Sequence, residues 1–151
     1  MTQITNILTK ADIKALRANF NSDQDNALLI DGFTKRFCQT KEMMNGIEFT
    51  FRNPKAKPIS LKRPEIVIIT LLCSQKLKVD LSLHLYLGLM NGLAPYQIGE
   101  ILSLVGVYSG VPAMALGLET AESTFSTLKS RTDCGKPLDA ASIFAALAKP
   151  G

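Results

Sequence analysis

The sequence predicts an all-α fold, on three observations. Apolar residues recur at helical spacing over most of the chain. Prolines placed to open helices alternate with glycines placed to close them through the second half. Only one short stretch alternates like a strand, and a single strand cannot make a sheet. The chain has 151 residues, of which 46% are apolar and 20% charged, enough for one domain with one core and too apolar for intrinsic disorder. We expect residues 1–60 to form N-terminal helices and an extended arm, and residues 61–130 the helical core.

Thr9 can cap a first helix running to about Phe20, with Asp12 three residues on, near the positive helix end. Asn21-Ser22 breaks it, and Ser22 can cap a second helix to about Gln39, with Leu28, Leu29, Phe33, Phe37 and Cys38 at helical spacing. Thr40 to Lys62 holds Gly46, Asn53-Pro54 and Pro58 and reads as an extended arm. Its alternating Ile47 to Phe51 segment could lie over a groove or a neighbouring subunit. Pro64 opens a helix through Ile66-Val67-Ile68-Ile69-Thr70-Leu71-Leu72-Cys73, apolar on nearly every side and so expected to be buried all round. A helix from about Val79 to Asn91 stops at Gly92. Pro95 opens the next, through Ile98, Ile101, Leu102, Val105 and Tyr108. Gly110 closes it and Pro112 opens a long helix to about Lys129. Arg131 to Pro137 reads as a loop and Leu138 to Ala148 as a short terminal helix.

Composition also narrows the function. Lys and Arg outnumber Asp and Glu by 17 to 13, a net charge of +4, but no dense basic block with interleaved aromatics points to nucleic acid. The low-charge region Leu81 to Leu118 is broken by Asn91-Gly92, Pro95, Glu100, Gly110 and Pro112, which is helix punctuation rather than a membrane span. No basic stretch followed by a long apolar one opens the chain, so a cytoplasmic location is expected. The mean hydropathy of +0.14 with modest charge suggests apolar surface covered in a homo-oligomer. Cys38, Cys73 and Cys134 lack metal-site or dithiol spacing, and with one His in the chain no metal site is expected.

The residues with the clearest chemical potential are Asp80 and His84, four apart on one helix and so on one face. Asp80 could orient the imidazole, which could then give or take a proton near neutral pH. The same pair also reads as a helix-start carboxylate and a core histidine bonded locally. Asn91, Gly92, Gly110 and Pro112 read first as punctuation, Tyr108 as a packing residue and Cys73 as an inert buried thiol.

The segments Leu83-His84-Leu85-Tyr86-Leu87-Gly88-Leu89-Met90-Asn91-Gly92-Leu93, Ile98-Gly99-Glu100-Ile101-Leu102 and Val105-Gly106-Val107-Tyr108-Ser109-Gly110-Val111-Pro112-Ala113 together resemble the carboxymuconolactone decarboxylase family. The acidic residue four before a His, the Asn-Gly helix end, the Glu-containing helix and the Tyr-x-Gly-x-Pro turn follow one another in the same order, from about Leu61 to Ala121. The resemblance implies an AhpD-like all-α bundle with a central helical hairpin, assembled into trimers or hexamers. It also implies decarboxylation or proton transfer on a small anionic, lactone-type substrate without a cofactor. His84 would be the acid, Asp80 its partner, Arg63 the group on the substrate carboxylate, and Asn91 and Tyr108 further substrate contacts.

The peroxidase branch of that superfamily works through a C-x-x-C-x-x-x-H segment. Its cysteine positions are Leu77 and Asp80 here, so dithiol peroxidase activity is not expected. In the family an Arg often precedes the acidic residue that opens the buried helix, whereas here Pro64 precedes Glu65 and Arg63 is one step off. The place four before Tyr108, often His or Gln, is Leu104. These departures favour a rival reading, an oligomeric ligand-binding or scaffold protein without catalysis. The retained Asp80 and His84 favour the enzyme.

Overall fold

The computed structural model describes residues 4–21, 24–25 and 62–148. The expected second helix, apart from Gln24 and Asp25, and the expected arm before Lys62 lie outside them. The described residues hold seven helices and no strand, so the all-α prediction stands. They are α1 (Ile4–Ile7), α2 (Lys10–Ala18), α3 (Lys62–Ser74), α4 (Lys78–Met90), α5 (Pro95–Ser109), α6 (Val111–Asp133) and α7 (Ala140–Leu147). None is long and apolar enough to cross a membrane.

Local chemistry sets the helix ends. Thr9 and Asp12 close a capping box on α2: the Asp12 N–H donates to Thr9 Oγ1 at 3.2 Å and the Thr9 N–H to Asp12 Oδ2 at 2.8 Å. Gly92 takes φ +104, a left-handed conformation in which a side chain would be strained. The Leu93 N–H then returns to the Gly88 carbonyl at 2.8 Å and closes α4. Pro95 opens α5, and the Ala94 N–H donates to Gln97 Oε1. Asp139 caps α7 by accepting from the Ser142 N–H. The expected loop from Arg131 starts later, because α6 runs on to Asp133.

The centre of the bundle is α4, not α3. Leu81, Leu83 and every residue from Leu85 to Met90 are buried, whereas α3 buries only Glu65, Ile69 and Cys73, and its Val67 and Leu71 are more than half exposed. The expectation that α3 is buried all round is therefore corrected. An apolar residue on every side permits full burial, but the number of neighbouring helices decides it. Helix α3 leans on α4, α5 and α6 through one face, in an antiparallel hairpin with α4. Close approach depends on two glycines. A Cβ on Gly88 would lie 2.9 Å from Leu93 Cδ1 and 3.1 Å from Ile69 Cδ1. One on Gly117 would lie 2.5 Å from Cys73 Sγ.

The N-terminal helices brace this core. Arg17 Nε donates to the Leu89 carbonyl at 2.9 Å, at the end of α4, where the Gly92 N–H reaches the same oxygen at 3.3 Å. Asp12 is nearly buried and accepts from Lys129 Nζ at 3.2 Å and Thr132 Oγ1 at 3.0 Å, pinning α2 to the end of α6. Burial pushes the Asp12 carboxyl up, but hydrogen bonds from Thr9, Thr132 and Lys129 outweigh it and hold the pKa at about 2.

A carboxyl whose pKa falls on folding stabilises the fold fully above its unfolded value of 3.8, and that contribution is lost as pH falls towards about 2. Asp12→Asn should therefore lower unfolding free energy by about 2 kcal/mol at neutral pH. The difference from the parent protein should shrink between those two pH values, as read by urea unfolding across pH.

Candidate functional site

The site forms where the first turn of α3 meets the second half of α4. Glu65 sits in that first turn, where the unpaired N–H groups of the helix favour a negative charge. Its Oε2 is 3.0 Å from His84 Nδ1, and its Oε1 accepts from Asn91 Nδ2 at 3.4 Å. His84 and Asn91 are seven residues apart, two helical turns, and share a face of α4. The Glu65 side chain is 8% exposed and that of His84 16%. A buried carboxylate is thus held by two donors from one helix, while the imidazole keeps an opening to solvent.

The geometry sets the roles of the ring nitrogens. With Glu65 as a carboxylate, Nδ1 carries the proton and donates. Nε2 makes no hydrogen bond among the described residues, so it is the atom that can exchange a proton with another molecule. A histidine held by a carboxylate through one nitrogen and free at the other is a general acid–base arrangement.

The structure brings together His84 and Asn91 of the residues singled out in the sequence, and it joins them through Glu65. Asp80 lies half-buried in the first turn of α4 and makes no hydrogen bond to His84, so the carboxylate on the imidazole is Glu65 rather than Asp80. Asp80 and His84 share a helix face, but a carboxylate from a second helix already occupies Nδ1. Arg63 is exposed, and two residues before Glu65 it points to another side of α3. Tyr108 is 87% exposed at the far end of α3, where Ser74 and Ser109 share a hydrogen bond of 2.8 Å. Nine residues separate Glu65 from Ser74, about 14 Å along the helix. Tyr108 therefore stands apart from His84.

Sequence reasoning missed Glu65 as a site residue. The available signal was a lone carboxylate opening an otherwise apolar helix, Glu65 followed by Ile66-Val67-Ile68-Ile69. Such a group needs a partner, and the hairpin supplies one from nineteen residues away.

The chain's other chemical groups lie elsewhere. Cys73 is fully buried near the end of α3. Burial pushes its thiol up, and Sγ is 3.3 Å from the Ala113 carbonyl. Among the described residues no cluster of three or more His, Cys, Asp or Glu could hold a metal ion. A groove of about 620 Å3 runs along the outer face of α5, lined in part by Tyr96, Glu100, Leu104 and Val107; none of Glu65, His84 and Asn91 lines it.

No family model, curated protein or solved structure matches this chain.

Glu65→Ala leaves the half-buried His84 and Asn91 donors without their acceptor. It should cost about 1–3 kcal/mol of stability in denaturant unfolding. Asp80→Ala removes only a favourable charge at a helix start and should cost less than about 1 kcal/mol. Equal losses would contradict the assignment of Glu65 as the histidine's partner.

Proposed function

We propose that this protein is a cofactor-free enzyme that decarboxylates, or moves a proton on, a small anionic lactone-type substrate, as the resemblance to the carboxymuconolactone decarboxylase family implies. The observation that carries the reading is the hydrogen bond from His84 Nδ1 to the buried Glu65, with no hydrogen bond to Nε2 among the described residues and the imidazole partly exposed.

In such a reaction the carbon–carbon bond to the carboxylate breaks and carbon dioxide leaves. The electron pair is delocalised into the unsaturated lactone carbonyl, and a proton is then delivered to carbon. The substrate carries its own electron sink, so the protein's work is to bind the anion, exclude water and supply the proton. His84 delivers it from Nε2 as the imidazolium, having taken that proton from solvent, while Nδ1 keeps its own proton on Glu65. Glu65 is the positioning residue: it fixes the ring through Nδ1. Asn91 holds the second carboxylate oxygen of Glu65, which stops that carboxylate from turning away. Asp80 adds negative charge one turn before His84, at longer range. Arg63, exposed in the first turn of α3, can attract an anion to the mouth of the site but reaches the reacting carbon only if the substrate spans the turn.

The rival reading is a ligand-binding or scaffold protein of the same superfamily. It is favoured by Leu104, an apolar residue where the family often has a polar one, exposed on a groove that His84 does not line. Loss of ultraviolet absorbance from carboxymuconolactone, followed with the purified full chain, separates the two. Turnover is expected, and His84→Ala should lower the rate about 10²–10⁴-fold without unfolding the protein. A folded His84→Ala variant with full activity would remove His84 from the chemistry. No turnover of this or related carboxylated lactones would favour the scaffold.

A further inference from the structure

Asn91-Gly92 is a chemically labile pair. With no Cβ on the following residue, nothing shields the backbone nitrogen that can attack an asparagine side chain. The turn that carries the pair is open to water. Gly92 is exposed, and a Cβ placed on it would meet no atom within 4 Å. Hydrogen bonds rather than packing therefore hold this turn.

The observed conformation keeps the reacting atoms apart. Attack closes a five-membered ring, which needs the Gly92 nitrogen on the same side of the Asn91 Cα–C bond as Cβ. At φ −81 and ψ 8 that nitrogen eclipses the Asn91 backbone nitrogen instead, and its N–H donates to the Leu89 carbonyl at 3.3 Å. The side-chain amide is turned away to the hairpin, with Nδ2 on Glu65 Oε1. Arg17 spans the turn. Its Nε donates to the Leu89 carbonyl at 2.9 Å and its Nη2 to the Leu93 carbonyl at 3.4 Å, two residues before Asn91 and two after. Rotation about the Asn91 Cα–C bond far enough for attack moves Leu93 relative to Leu89 and breaks this bridge.

We propose that Asn91 is a latent deamidation site, and that the Arg17 bridge keeps it closed. Once the turn opens, the Gly92 nitrogen bonds to Asn91 Cγ and the Cγ–Nδ2 bond breaks. Nδ2 leaves as ammonia with the Gly92 amide proton. Water then opens the resulting succinimide to aspartate or isoaspartate. The product sets a second carboxylate against Glu65 where a donor stood, so Glu65 keeps only His84 and faces like charge. Arg17 is thus a positioning residue for Asn91, acting through the backbone on either side of it. The inference rests on the Asn91–Glu65 hydrogen bond and not on the enzymatic reading, and no measurement that tests it uses turnover.

The test is incubation of the folded full chain at mildly alkaline pH, followed by peptide mapping with mass spectrometry. Mapping separates Asn91 from Asn45-Gly46, the other such pair in the sequence. In the native parent, Asn91 should deamidate at least about tenfold more slowly than in the urea-unfolded chain. Arg17→Ala should raise the native rate about tenfold, the size of one hydrogen bond from a charged donor. Arg17→Lys, which cannot span both carbonyls, should keep only part of the protection. Asp139→Ala removes the α7 cap and lowers global stability away from the turn, and should leave the Asn91 rate unchanged. In Asn91→Asp, which reproduces the product, the nitrogen-15 signals of His84 should shift from those of the parent. Deamidation of Asn91 as fast in the native chain as in urea would show that the turn gives no protection. A rate indifferent to Arg17→Ala, or raised equally by Asp139→Ala, would remove Arg17 as the guard. Unmoved His84 signals in Asn91→Asp would refute the link to the site.

Discussion

A carboxylate buried in an apolar hairpin must be hydrogen-bonded, and the site depends on how the chain meets that requirement for Glu65. Both oxygens find donors on one face of α4, His84 on one and Asn91 on the other. Gly88 lies on the same face between them, and Ile69, one turn after Glu65, packs where a side chain on Gly88 would stand. The missing side chain lets α3 come close enough for Glu65 to reach across. The register of the hairpin and the geometry of the imidazole therefore follow from one set of contacts. Shifting α3 by a turn would strand the carboxylate and drive Ile69 out of its seat.

The bracing of α4 extends this constraint outward. Asn91 stands at the helix end, where termini ordinarily fray. Here the left-handed Gly92 turns the chain back, Leu93 bonds to Gly88, and Arg17 bonds to the Leu89 carbonyl. Arg17 is held in turn on α2, which Asp12 fastens to Lys129 and Thr132 of α6. The N-terminal helices thus bear on the site without contributing a side chain to it. Losing the Asp12 network would loosen the part of α4 that presents Asn91.

Much of the fold was legible because helix ends are local chemistry. Thr9 with Asp12, Gly92, Pro95 and Gly110 each act through neighbouring backbone groups, and the sequence places them within a residue or two of the observed ends. Burial was less legible because it depends on which helices surround a segment. The run Ile66 to Cys73 reads as more central than Leu81 to Met90, yet α4 holds the middle and α3 leaves Val67 and Leu71 to solvent. The site was half legible for the same reason. Spacing on one helix put His84 beside Asp80, but the bond that forms runs between helices nineteen residues apart, and no local pattern specifies it. His84 and Asn91 could be named from the sequence. Their common partner needed the hairpin.

The central claim is that Glu65 fixes the tautomer of His84 and leaves Nε2 to handle the proton. As the only histidine in the chain, His84 gives a single set of imidazole signals. Nitrogen-15 NMR at alkaline pH reads which ring nitrogen carries hydrogen. The account predicts Nδ1–H in the parent protein, shifting towards Nε2–H in Glu65→Ala. A ring already in the Nε2–H form, unchanged by loss of Glu65, would contradict it.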